Sequence, residues 1–253
     1  MKKVVNWRLF FILLCLSLTS VVCIFPYVIS VQGEILKKIG QPLELLFIAQ
    51  FFQCLILFSV AIFFGLFFTK RVGFKLPLLE AIVKKEDYKK IIKNILFSSV
   101  LLGIAVAVAI YVLDFLFTFI GARISTHGNY APVWQTLLAA FYGGITEEIL
   151  MRLFLMSFFV WFSIKFFRQN KPSKVGIIFS IFLAAIIFGL GHLPITASLT
   201  NITPLIIGRA VVLNGIGGIV FGWLFWKKGL ESAMISHFTA DIFILTLLPL
   251  LFK

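Results

Sequence analysis

Charge is what this chain has least of. Only 13% of its 253 residues are Asp, Glu, Lys or Arg, about half the share usual in soluble domains. So few charges exclude an ordinary soluble globule, whose surface they could not cover. Cysteine is scarce as well. Cys15, Cys23 and Cys54 all lie in apolar runs, with neither metal-ligand spacing nor a disulfide framework. They read as lipid-facing or packed thiols. No His-Glu-x-x-His stretch occurs, which excludes a zincin. No serine occupies a Gly-x-Ser-x-Gly nucleophile elbow.

What is present is apolar: 61% of the residues are hydrophobic and 31 are Phe. Seven stretches reach the roughly 20 residues needed to cross a bilayer, near 9–31, 43–69, 94–120, 132–164, 175–193, 203–226 and 231–252. The first is too long for a cleaved signal segment and reads as a membrane helix. The fourth is too long for one straight span. It is expected to tilt, to kink at Gly143-Gly144, or to split in two. The expectation is therefore an all-α, polytopic transmembrane bundle of seven or eight membrane helices, a single integral membrane domain over 1–253.

The net charge of +13 comes in short basic blocks between the apolar runs. That is how membrane topology is written, so no nucleic-acid partner is expected and the lipid bilayer is. With the N-terminus cytoplasmic, inside segments hold seventeen basic residues, including Lys2, Lys3 and Arg8. Outside segments hold four: Lys37, Lys38, Arg123 and Lys253. This bias favours seven spans in a cell membrane. The basic loop 70–93 is the one sizeable cytoplasmic piece and is expected to form a short amphipathic helix on anionic headgroups. Gly218 and Gly222 are spaced for close helix packing.

Charges inside the spans are costly and need a reason. Asp114 and Arg209 can pair across the bundle. In "EEILMR" (147–152), Glu148 and Arg152 are four residues apart on one helix face and can neutralise each other. Glu147 points about 100° away on an ideal helix, toward another neighbour. In "FGLGH" (188–192), Phe188 and His192 share a face, and Gly189 and Gly191 admit a close backbone. In "HFTAD" (237–241), His237 and Asp241 share a face. A glutamate and a histidine can hold and deprotonate water. A second histidine with its neighbour can stabilise an oxyanion. Two histidines with carboxylates can instead bind zinc.

The order Glu-Glu-x-x-x-Arg, Phe-x-x-x-His, His-x-x-x-Asp resembles the CAAX-protease and bacteriocin-processing family of intramembrane endopeptidases. This family is also called the abortive-infection or CPBP family, and it includes the type II CAAX prenyl endopeptidases. The resemblance covers about 132–245, the protease-family core. It implies an intramembrane endopeptidase acting on a membrane-associated peptide or protein. Glu147 and His192 would activate water, while His237 and Asp241 would form the oxyanion side. Glu148, Arg152 and Phe188 would support the site. A cofactor is either none or one divalent, zinc-like metal at Glu147, His192, His237 and Asp241. Asp241 stands where prenyl endopeptidases carry Asn. An ionised aspartate repels an oxyanion, so it must be protonated, act through His237, or ligate a metal.

Two other readings stand beside the protease. One is a non-proteolytic immunity or partner-binding protein that keeps the fold. The other is a small ion-coupled transporter. One tension is internal to the sequence. On straight helices rising 1.5 Å per residue, His192 and His237 fall at depths about 15 Å apart. Reaching one water then needs a broken fourth run, a deeper fifth span, or a seventh helix that starts beyond Gly229.

Overall fold

The computed structural model describes residues 5–123 and 131–251. Lys2, Lys3 and Lys253, which contribute to the basic bias, lie outside the described residues. Among those described, every regular element is helical. In chain order they are α1 (Trp7–Lys38), α2 (Leu43–Val72), α3 (Pro77–Lys84), α4 (Lys89–Phe119) and α5 (Val133–Phe166). There follow α6 (Lys174–Gly191), the short α7 (Leu193–Leu199), α8 (Pro204–Lys228) and α9 (Leu230–Leu251). Seven of the helical runs are long and apolar enough to cross a membrane. The protein is an integral membrane bundle with seven candidate spans among the described residues.

Local chemistry sets the helix ends. Asn6 caps α1, its side-chain oxygen accepting from Arg8 N at 3.1 Å. Ser173 caps α6 in the same way through Gly176 N at 3.0 Å. At α8, Thr203 is the cap and Pro204 fills the first turn, where its missing N–H costs nothing. The sharp turn between α8 and α9 needs Gly229, whose φ is 102°. A side chain there would also strike Pro77.

The fourth apolar run does not split in two. It continues as one helix, wound as π-helix over Tyr142–Glu147 and Ile149–Met156. Such wide turns are rare and recur at functional sites. Here Gly143 and Gly144 permit a close approach of α9. A Cβ on Gly144 would stand 2.7 Å from the Phe238 Cβ. The first π-wound segment lies against α1 and α9, and the second against α2, α6 and α8. α5 therefore runs through the middle of the bundle, and its charges meet protein rather than lipid.

Small and hydroxylated residues bring the spans together, as they must where lipid and core are equally apolar. A Cβ on Gly218 would lie 2.7 Å from the Ala185 Cβ, and one on Gly189 would lie 2.6 Å from Val211 Cα. These glycines seat α6 on α8. Gly191, expected to do the same, has open space around it. Ser99 and Ser232 hydroxyls meet at 2.6 Å between α4 and α9. Thr69 and Ser157 meet at 3.0 Å between α2 and α5, and Ser20 bonds Thr146 between α1 and α5. Asp114 and Arg209 do pair, with Arg209 Nε donating to Asp114 Oδ1 at 2.7 Å.

The 70–93 segment forms the expected short helix, α3, which buries Leu79 and Ala81 against the bundle and leaves Ile82 exposed. Leu76 and Leu79 are buried. Leu79 N donates to the Glu231 carboxylate at 2.8 Å, and Leu230 N donates to the Lys75 carbonyl at 3.2 Å. Glu231 is thus a further buried carboxylate, one whose place at the start of an apolar run gave no sign of burial.

Candidate active site

Three spans supply the site. α5 carries Glu147, Glu148 and Arg152, α9 carries His237 and Asp241, and α6 ends in Phe188 and His192. Glu148 and Arg152 form the expected pair at 2.9 Å, and both side chains are sealed, 0% and 2% exposed. Burying such a pair is tolerable only if other bonds satisfy what remains. They do so in part: Arg152 Nη2 donates to the Gly218 carbonyl at 3.3 Å.

Glu148 has a second partner that helix spacing does not reveal. Its Oε1 accepts from His237 Nδ1 at 2.7 Å. A carboxylate held by arginine is an acceptor, so this bond fixes the proton of His237 on Nδ1 and turns Nε2 the other way. Nε2 then stands 3.7 Å from Glu147 Oε2 and 3.6 Å from Asp241 Oδ1. Both separations exceed a direct hydrogen bond. A water beside the three atoms can bridge them.

Aromatic rings hold the imidazole in place. Phe221 stacks on His237 with centroids 4.6 Å apart and 20° between planes. Phe188 meets it edge-on at 5.7 Å. The Arg152 guanidinium lies over the same two rings, 5.0 Å from Phe188 and 5.4 Å from Phe221. Phe221 does not stand out in the sequence, where it lies within an apolar run that signals only a span. Gly143 stands out there only as a kink. A Cβ on it would strike the Asp241 carboxylate and lie 3.2 Å from His237 Nε2. The site therefore needs glycine at 143 for space.

The two glutamates differ in access. The Glu147 side chain is 24% exposed and that of Asp241 20%, against none for Glu148. Glu147 and Asp241 are partly accessible, whereas Glu148 is enclosed behind His237.

His192 sits where α6 gives way to α7. Its Nδ1 lies 2.8 Å from the Phe188 carbonyl, which can only accept. The proton is therefore on Nδ1, and a neutral His192 presents Nε2 as an acceptor. The Phe188 ring touches both imidazoles, 4.8 Å from His192 and 5.7 Å from His237. This contact brings the two histidines into one region despite the depths inferred from straight spans. The seventh span starts at Leu230, within one residue of the expected start, so the Phe188 contact and not a shifted helix start brings the histidines together. No ion-pair contact joins His192 to Glu147 among the described residues, and the imidazole beside Glu147 is that of His237.

Among the described residues no three His, Cys, Asp or Glu side chains are disposed to hold a metal ion.

Seven apolar helices around a carboxylate–imidazole cluster define the class: a polytopic membrane protein with a partly open polar site between its spans. Residues 129–243 match the family model of the type II CAAX prenyl endopeptidase, Rce1-like. This segment, a little under half of the chain, is similar to the CAAX-protease family. None of the curated proteins and none of the solved structures matches the chain.

Proposed function

We infer that the chain is an intramembrane endopeptidase in which Glu147 is the general base and His237 the electrophilic partner. The substrate is a peptide bond of a membrane-associated protein or peptide. The observation that carries this reading is the orientation of one ring: His237 Nδ1 bonds Glu148, and Nε2 faces Glu147 and Asp241.

The chemistry rests on that geometry. A water between Glu147 and His237 gives a proton to the Glu147 carboxylate. The resulting hydroxide attacks the scissile carbonyl carbon, and negative charge moves to the carbonyl oxygen. With both ring nitrogens protonated, His237 donates Nδ1–H to Glu148 and Nε2–H toward that oxygen. A fixed donor of this kind stabilises the tetrahedral state without reorganising at the moment of reaction. Glu147 then returns its proton to the amide nitrogen, the C–N bond breaks, and acid and amine leave. Asp241 acts through His237, which removes the difficulty of an aspartate facing an oxyanion. His192, across the Phe188 ring, accepts a hydrogen bond from the incoming peptide and aligns it. Glu148 and Arg152 are positioning residues.

The test compares peptide termini in membranes from cells carrying wild type or Glu147→Gln at matched expression. New termini should vanish in the variant, and turnover should fall by about 10²–10⁴-fold, as for loss of a general base. Activity of purified wild type should survive removal of divalent metal by a chelator. Identical termini in both membranes, with the biological effect intact, would replace this reading by a non-proteolytic partner-binding protein.

A further inference from the structure

Where α1 begins and α2 ends, a cavity of about 1060 Å³ opens on the bundle. No residue of the carboxylate–imidazole cluster lines it, so its role is independent of the protease reading. Its cations include Arg8 on α1 and Lys75, Lys84 and Lys85 in the segment that carries α3. Glu80 is the one carboxylate in the lining, and its Oε1 is turned to Leu76 N at 3.4 Å.

The rest of the wall is apolar. Leu66, Phe74, Leu76 and Val83 line it, and the first three are buried. The size lies at the upper end of small-ligand cavities. Its place at the ends of two membrane-length helices puts it at headgroup depth. A cationic mouth over an apolar wall, at this depth, matches a phosphate group joined to an acyl chain.

We propose that this cavity binds the headgroup of an anionic phospholipid, the phosphate among Arg8, Lys75, Lys84 and Lys85 and the acyl chain against Leu66 and Phe74. α3 is then a docked lid whose basic edge reads the lipid, rather than a helix lying on the membrane. Full-length protein is extracted from vesicles of phosphatidylcholine mixed with phosphatidylglycerol, and retained lipid is counted by native mass spectrometry. Wild type should retain phosphatidylglycerol in preference to phosphatidylcholine. The triple variant Arg8→Gln, Lys75→Gln, Lys84→Gln should reduce that preference by about tenfold or more, given the attraction each cation contributes at a lipid surface. A control with Lys165, Lys171 and Lys174 changed to Gln should keep it.

Equal retention of the two lipids by wild type would overturn the proposal, as would equal loss in the control. Displacement of the lipid by glycerol phosphate at similar concentration would assign the site to soluble phosphate compounds instead. Should the triple variant aggregate, Lys84→Gln alone, on the exposed last turn of α3, carries the same test with a smaller loss. An unchanged preference there counts against the site.

Discussion

Glu147 and Glu148 are adjacent in sequence and opposite in circumstance. One has 24% of its side chain open and the other none. Their variants should therefore separate activity from stability. Arg152→Met leaves the Glu148 charge buried without its partner, and removing one member of a buried pair typically costs about 3–5 kcal/mol. Glu147→Gln keeps shape and hydrogen-bonding capacity at a partly open position, so unfolding should shift by no more than about 0.5 kcal/mol. Denaturation of both variants in the same lipid micelles reads the difference. Equal destabilisation would show that Glu147 is as structural as its neighbour. The i,i+4 pairing of Glu148 with Arg152 was legible because helix geometry alone sets it. The bond from Glu148 to His237 was not, because it joins residues 89 positions apart. No local periodicity says which imidazole a buried carboxylate will meet.

At the scale of elements, α5 decides the most. Its π-wound turns and its paired glycines let α9 approach until Asp241 fills the space over Gly143. Gly143→Ala removes no acid, base or donor, yet its methyl group must displace the Asp241 carboxylate. Turnover should fall by about tenfold or more, as misplacement of a reacting group by an ångström can cost about 10²-fold. The protein should still fold, since one methyl can be met by movement of a carboxylate that is 20% exposed. Peptide turnover and a thermal melt on the same preparation check this. Unchanged turnover would mean that the Asp241 position does not matter to the reaction. The sequence signalled an irregularity at Gly143-Gly144, since a run of that length cannot be one straight span. It did not signal the kind. A kink, a break and a π turn all use the same glycines, and only the packing of α1 and α9 against that segment selects among them.

For the molecule as a whole, seven spans predict on which side each connecting segment lies. The basic bias predicts that the segments around Lys85 and Lys171 lie on one face and Arg123 on the other. On a background with Cys15, Cys23 and Cys54 replaced by Ala, single cysteines at 85 and 171 should react with an impermeant maleimide from the same side. One at 123 should react only from the opposite side. Labelling of all three from one face would break the seven-span arrangement. The span count, the all-helical class, the Glu148–Arg152 and Asp114–Arg209 pairs and the shared face of His237 and Asp241 are all legible in the sequence. Hydropathy, basic bias and the 3.6-residue turn act over short distances along the chain, and each leaves a readable period or composition. The close approach of Glu147 to His237, the Phe221 stack and the cationic cavity under α3 were decided only in the tertiary structure. Each depends on the lateral order and tilt of helices far apart in sequence. That order is set by which small residues let which spans touch, a property of pairs of surfaces rather than of any one segment.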